Sequence, residues 1–187
     1  MYDNSLDEMF EQDRNQSIQW TKEVLQDPNL IILDTETTGL DGDAEVVQIA
    51  IIDGNGNILF NSLVKPLRGI RSEALAINHI TEAMVENAPT FKDIFPTLQK
   101  IIEDKRLVIY NANYDMRVMH QSGDDLPPFF NVIVNCAMEA YAKYVSDWND
   151  YYGSYRWQKL PSGDHSALGD CLATLKLIKQ MAGTHEG

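Results

Sequence analysis

Residues 30–40 read LIILDTETTGL, and their reading decides the fold. Four apolar residues, Leu30 to Leu33, start what should be a buried strand, yet Asp34 and Glu36 stand where that strand should continue. Thr at the alternate positions and Gly39 at the end still say strand. Side chains at i and i+2 leave the same face of a strand, which puts the two carboxylates side by side. Like charges about 4 Å apart repel by roughly 4 kcal/mol at an effective dielectric of about 20, a large part of a domain's net stability. A positive species is therefore expected between them.

Outward from this strand the pattern alternates. EVVQIAII (45–52) predicts a second strand, DGNGN (53–57) a tight turn, and residues 58–64 a third strand, together an antiparallel meander. From about Ser72 the pattern turns helical, and Phe91, Ile94, Phe95, Leu98, Ile101 and Ile102 share one face, with a bend expected at Pro96. RLVIY (106–110) predicts a buried strand, NANYD (111–115) a turn into a helix carrying Met116, Val118 and Met119, NVIVNC (131–136) the last strand, and AMEAYAKYV another helix. Leu168, Cys171, Leu172, Leu175 and Ile178 form an apolar stripe along a closing helix. Residues 1–28 are expected as a helical lead-in ending near Pro28, and 29–183 as a single domain. The fold class is α/β: a mixed five-stranded sheet, antiparallel meander then parallel strands, flanked by helices.

The chain has 187 residues and a formal net charge of −13. Such acidity argues against wrapping nucleic acid through Lys and Arg, but an acidic site can still handle phosphates through divalent cations. The polar, acidic start and the lack of a long apolar run point to a cytoplasmic protein with no membrane partner. Cys136 and Cys171 lie far apart with no zinc-ligand spacing and read as reduced, buried thiols.

Four acids can converge. Asp34 and Glu36 leave one strand face, Asp115 begins the helix after the fourth strand, and Asp170 lies in the first turn of the last helix. Strand ends and helix starts gather at the carboxyl edge of an α/β sheet. Oxygen ligands suit Mg²⁺ or Mn²⁺. His165, five residues before Asp170, would sit about 140° from it on one helix, so it is expected on the preceding loop, with Ser166 or Asp164 as cap. An imidazole there could deprotonate a water beside paired metals, which is metal-assisted phosphodiester hydrolysis.

DTETTG (34–39), NANYD (111–115) and HSALGD (165–170) resemble, in order and spacing, the three motifs of the DEDDh (DnaQ-like) 3′-to-5′ exonucleases, which have a ribonuclease-H-like fold. The resemblance covers roughly residues 30–182. It implies that Asp34, Glu36, Asp115 and Asp170 hold two Mg²⁺ or Mn²⁺ ions and that His165 is the general base. It also implies that Thr37, Thr38 and Leu40, with the backbone at Gly39, hold the 3′-terminal nucleotide, and that Asn111 supports the site. The chain departs from the family pattern in having Asn78 and His79 where the family often has His and Gly, Tyr110 before Asn111, and Tyr114 where a Phe is usual before the motif's Asp.

The expected activity is removal of nucleotides from single-stranded or frayed DNA or RNA 3′ ends, releasing 5′-monophosphates. An RNA-trimming enzyme of the same family is one rival. A non-catalytic module docked on a DNA polymerase or another nucleic-acid-processing protein is a second, although no catalytic acid or His is missing. Trp148, Tyr151, Tyr152, Tyr155 and Trp157, with Arg156 and Lys159 among them, precede His165. They can stack bases, but a loop packing its rings on the domain is the favoured reading. Lys65, Arg68 and Arg71 read as a solvated basic patch, and His79, His120 and His185 as surface histidines.

Overall fold

A computed structural model describes residues 4–123, 125–129 and 131–183, so His185 lies outside the described residues. The elements are α1 (Asn4–Gln26), β1 (Leu30–Thr37), β2 (Val46–Asp53), β3 (Ile58–Leu63), α2 (Ser72–Asn78), α3 (Glu82–Val85), α4 (Phe91–Ile102), β4 (Arg106–Ile109), α5 (Ala112–Ser122), β5 (Ile133–Cys136), α6 (Ala137–Val145), β6 (Trp148–Asn149), β7 (Ser154–Tyr155) and α7 (Ala167–Met181). The sheet order is β3-β2-β1-β4-β5. β1, β2 and β3 pair antiparallel, whereas β1, β4 and β5 run parallel. The meander-then-parallel sheet expected from the sequence is what forms.

The apolar run of β1 is continuous because both faces of the sheet are covered. Ile31 and Leu33 point to one face, where Ile49, Ile51, Leu107 and Ile109 meet α4 and α5 through Phe91, Leu98, Ile102 and Val118. Leu30 and Ile32 point to the other, against Val24 of α1, Ala137 of α6, and Cys171, Leu175 and Ile178 of α7. Asp34 and Glu36 continue the second parity, so they leave the sheet on the α7 side.

Several expectations change. The helical stretch after Ser72 is three helices. His79 adopts a left-handed φ of 58° and closes α2, and a turn before Thr90 separates α3 from α4. α4 runs unbroken through Pro96 and starts on a reciprocal cap between Thr90 and Asp93. β5 is not the last strand, since β6 and β7 pair inside the aromatic segment read as loop. In α7, Leu172 is 44% exposed, and Leu177 and Met181 are buried instead. Leu172 lies over the β2–β3 turn, in reach of Gly56, which takes a φ of +90° there. Both cysteines are free thiols, but only Cys171 is fully buried. No described helix is long and apolar enough to cross a membrane.

The left-handed turn at His79 is expected to cost stability. A left-handed backbone suits glycine and strains a residue with a Cβ, and the His79 side chain is exposed. Replacing His79→Gly is expected to stabilise the protein by about 0.5–1 kcal/mol, the relief of strain exceeding glycine's extra unfolded-state entropy. Urea denaturation of the two proteins checks this; a less stable variant would show that the imidazole makes a contact worth more than the strain.

Candidate active site

The site lies where β1 ends. Its last residues are pulled out of regular pairing: Glu36 pairs with Gln48 but Thr37 with Val46, a bulge that re-aims the strand end. Asp34 and Glu36 meet Asp170 from the first turn of α7, and one carboxylate oxygen of each lies within 4.8 Å of the others. Asp115 stands to the other side. Its Oδ1 accepts hydrogen bonds from the Thr35 amide at 3.1 Å and the Thr35 hydroxyl at 2.7 Å. Strand parity explains this division, because Thr35 faces α5 while its neighbours face α7. Asp115 is therefore beside the tight trio rather than part of it, with its second oxygen left for other partners.

The electrostatics follow from crowding. Burial, then the charges of Asp115, Asp170 and Glu36, raise the Asp34 carboxyl well above its ordinary value. Glu36 is pushed up to about 8 by burial and by Asp170 and Asp115. Asp115 rises to about 7, burial outweighing the hydrogen bonds from Thr35. Asp170 is also raised by burial, against the opposing amides of Asp164 and His165. Four carboxyls that resist ionisation in one another's company, all offering hard oxygen donors, fit a site for divalent cations.

His165 sits on the loop before α7, exposed, with a left-handed φ of 60°. Ser166 is the cap, its hydroxyl accepting the Gly169 amide at 3.1 Å. Asp164 fixes the loop from both ends: its carboxylate accepts the Ser166 amide and hydroxyl, and its own amide donates to Asp170 Oδ1 at 2.9 Å. A Cβ on Gly169 would stand 2.1 Å from Asp164 Oδ1, so the glycine of HSALGD makes room for that carboxylate. His165 thus stands beside Asp170, as the loop placement predicts.

Beside the acids opens a cavity of about 420 Å³ lined by Thr35, Glu36, Thr37, Gly39, Leu40, Arg71, Ile77, Asn78 and Tyr114, among others. Leu40 and Ile77, 77% and 52% exposed, give it apolar walls. Of the residues expected to hold a nucleotide, Thr37, Gly39 and Leu40 line it. Thr38 does not: it is buried, and its hydroxyl accepts the Glu45 amide. Asn111 is likewise outside the cavity lining, at the start of α5, where its carbonyl accepts the Tyr114 and Asp115 amides.

Other residues shape the site, and of these Gln48 has no signal in the sequence. The Tyr114 hydroxyl donates to the Gly39 carbonyl at 2.7 Å and lies 2.6 Å from Thr37 Oγ1, a link that a Phe at this position could not make. Asn78 donates to the Thr37 carbonyl. Gln48 Oε1 accepts the Ala167 amide at 3.1 Å, tying the start of α7 to β2 opposite Glu36. Lys65, Arg68 and Arg71 are exposed, as a solvated basic patch requires, and they also bond within the protein, Lys65 and Arg68 to the Glu86 and Asp43 carbonyls and Arg71 to Asp41 and Asp43.

Two outcomes follow. Gln48→Ala strands a buried amide and is expected to cost about 1–3 kcal/mol in urea denaturation, with Asp34 and Glu36 untouched. Raised carboxyl values mean that the metal-free folded state holds more protons than the unfolded chain between the ordinary value and about 8 for Glu36. Stability must then fall as pH rises through that window. Thermal unfolding in EDTA should show a lower Tm at pH 8 than at pH 5. Added Mg²⁺ should raise Tm more at pH 8, and a flat profile would contradict the electrostatic picture.

Comparison with known proteins agrees with this geometry. A profile of the Exonuclease (RNase_T) family matches residues 31–178. The chain is 40% identical to the exonuclease CP81 of Escherichia phage 186 over 182 residues, covering 88% of this chain and 93% of that protein. It is 32% identical to Exodeoxyribonuclease 10 of Escherichia coli, over 83% of this chain and 69% of the relative. The solved structure of Exonuclease X in complex with 5′ overhanging duplex DNA superposes with a TM-score of 0.57 at 33% identity, covering 82% of this chain and 92% of that one. Sequence, sheet order and clustered carboxylates together place this chain in the DnaQ-like (DEDDh) exonuclease family of the ribonuclease-H-like superfamily.

Proposed function

We propose that this exonuclease works from the 3′ end, hydrolysing the terminal phosphodiester of single-stranded or frayed DNA and releasing 5′-monophosphates, with two Mg²⁺ or Mn²⁺ ions as cofactors. The observation that carries the reading is the meeting of Asp34, Glu36 and Asp170 within 4.8 Å, with Glu36 also lining a partly apolar cavity. DNA is favoured over RNA by the likeness to an exodeoxyribonuclease.

The trio, with the second oxygen of Asp115, would hold the ions, which when bound polarise a phosphate and make water more acidic. Each residue then has a role of its own. Leu40 and Ile77 take the terminal base between apolar walls, and Thr37 with the Gly39 backbone meets the sugar. Tyr114 and Asn78 position those two by holding the Gly39 and Thr37 carbonyls. His165 accepts the proton of the attacking water, and its exposed loop position lets the proton pass on to solvent. Asp164 and Ser166 keep the imidazole's loop in place. A DNA polymerase as docking partner is part of the same proposal, supported by 29% identity to a polymerase III epsilon subunit from Buchnera aphidicola.

The test uses 5′-labelled DNA and RNA oligomers with Mg²⁺, Mn²⁺ or EDTA. A ladder shortening from the 3′ end, abolished by EDTA and in Asp34→Ala, is expected, with DNA the faster substrate. His165→Ala should keep its Mg²⁺-induced rise in Tm and lose about 10²–10⁴ in turnover. Internal cuts, shortening from the 5′ end, or a His165→Ala protein of parental speed would each overturn the corresponding part.

A further inference from the structure

We propose that the hairpin β6–β7 and the segment after it form a stacking platform for a single strand, holding bases that lie beyond the terminal nucleotide. The inference rests on the site being nucleolytic, and it adds a second contact region outside the cavity that takes the strand end.

The aromatic segment divides its rings by function. Trp148 and Tyr155 face inward onto Phe10 of α1, with ring centroids at 5.6 and 5.9 Å, and meet each other edge to face at 5.1 Å. The Tyr155 hydroxyl donates to Asp13 at 2.8 Å. These contacts anchor the hairpin. Its turn is then fixed internally, the Asn149 side chain accepting the Tyr151 and Tyr152 amides and the Asn149 carbonyl accepting the Gly153 amide. On this base stand Tyr151, Tyr152 and Trp157, which are 87%, 74% and 64% exposed. Two rings held out by the turn, edge to face at 4.8 Å, and a third two residues beyond β7 expose apolar area that folding does not use.

Position and charge indicate the occupant. α1 ends at the amino edge of the sheet, where it leads into β1. At about 1.5 Å per helical residue and 3.3 Å per strand residue, Phe10 comes level with the carboxyl end of β1, where the acids lie. The chain returns from Trp157 to the site directly: the Gln158 carbonyl accepts the Tyr110 hydroxyl at 2.7 Å, at the end of β4, and residues 159–164 lead into His165. The platform is therefore joined to the site by a short stretch of chain pinned to the end of β4. Within a chain of net charge −13, residues 147–159 are balanced, Asp147 and Asp150 against Arg156 and Lys159. Arg156 pairs with Asp147, whereas exposed Lys159 has no ion-pair partner among the described residues. Ring faces beside a cation grip a strand with little demand for positive charge, each stacked base contributing about 1–3 kcal/mol.

The test compares the parent with Tyr151→Ala/Tyr152→Ala/Trp157→Ala and with Trp157→Phe, on a thymidine dinucleotide and an oligothymidylate of about 15 nucleotides, within the range of single-strand site sizes. In EDTA, fluorescence anisotropy should show the triple variant binding the long oligomer at least tenfold more weakly and Trp157→Phe binding it nearly as the parent does. Hydrolysis of the dinucleotide with Mg²⁺ should be the same in all three. Equal affinity of parent and triple variant for the long oligomer overturns the proposal and assigns the rings to a protein partner. A parallel loss of dinucleotide hydrolysis overturns it in favour of a structural role. A parent that hydrolyses neither substrate would refute the nuclease reading instead, while the EDTA binding comparison still decides the platform.

Discussion

Mutual repulsion among carboxylates at the end of one central strand is the constraint on which the rest depends. Asp34, Glu36 and Asp170 are close enough to share a cation, and burial makes each harder to ionise. A strand carrying such a load would fray unless held on every side. β1 is held by β2 and β4 as lateral neighbours, and by helices on both faces. Gln48 then reaches from β2 to the first amide of α7, and Asp164 joins the loop before α7 to Asp170. The fold keeps together, by hydrogen bonds from Gln48, Asp164 and Thr35, groups that electrostatics would drive apart.

The cavity wall is built by the same logic. Glu45, buried at the end of the loop after β1, gives both carboxylate oxygens to the Leu67 and Arg68 amides, and its backbone pairs with Thr38. The Arg71 amide donates to the Thr38 carbonyl, and its guanidinium spans Asp41 and Asp43. A Cβ on Gly39 would lie 2.8 Å from Arg71 Cδ, so the glycine of DTETTG lets that side chain cross close to the backbone. Loop, α2 and strand end are thus tied together, and on the proposed reading a nucleotide entering there meets preformed walls.

Much of this was legible in sequence because it is local. The i, i+2 spacing of Asp34 and Glu36 fixes a common face, and periodicity locates the five sheet strands and the main helices. What escaped is what depends on partners distant in the chain. Thr35 looks like a spacer, yet it sets the position of Asp115, and Gln48 looks like an ordinary strand polar residue until α7 arrives above it. Thr38 belongs to the right motif, but the turn directs its hydroxyl to Glu45 instead of the cavity. Leu172 fits the helical stripe, but it lies 44% exposed over the β2–β3 turn, while Cys171, Leu175 and Ile178 of the same stripe meet the sheet. The aromatic segment divides for the same reason, since nothing local says that Phe10 will claim two of its rings.

An acidic protein that handles a polyanion needs a particular distribution of attraction. The cations of this side of the protein are bonded within it: Lys65 to the Glu86 carbonyl, Arg68 to the Asp43 carbonyl, Arg71 to the Asp41 and Asp43 carboxylates, and Arg117 to the Leu40 and Asp41 carbonyls. These contacts tether the side chains, and four cations, one of them paired with carboxylates, are few with which to track a phosphate backbone in a chain of net charge −13. On the proposed reading, charge attraction is concentrated at the metal positions, where the terminal phosphate alone can reach. The remaining hold must come from uncharged contacts, which act on unstacked bases and not on a closed duplex. Selectivity for a free or frayed end then follows from where the protein withholds positive charge as much as from where it gathers carboxylates.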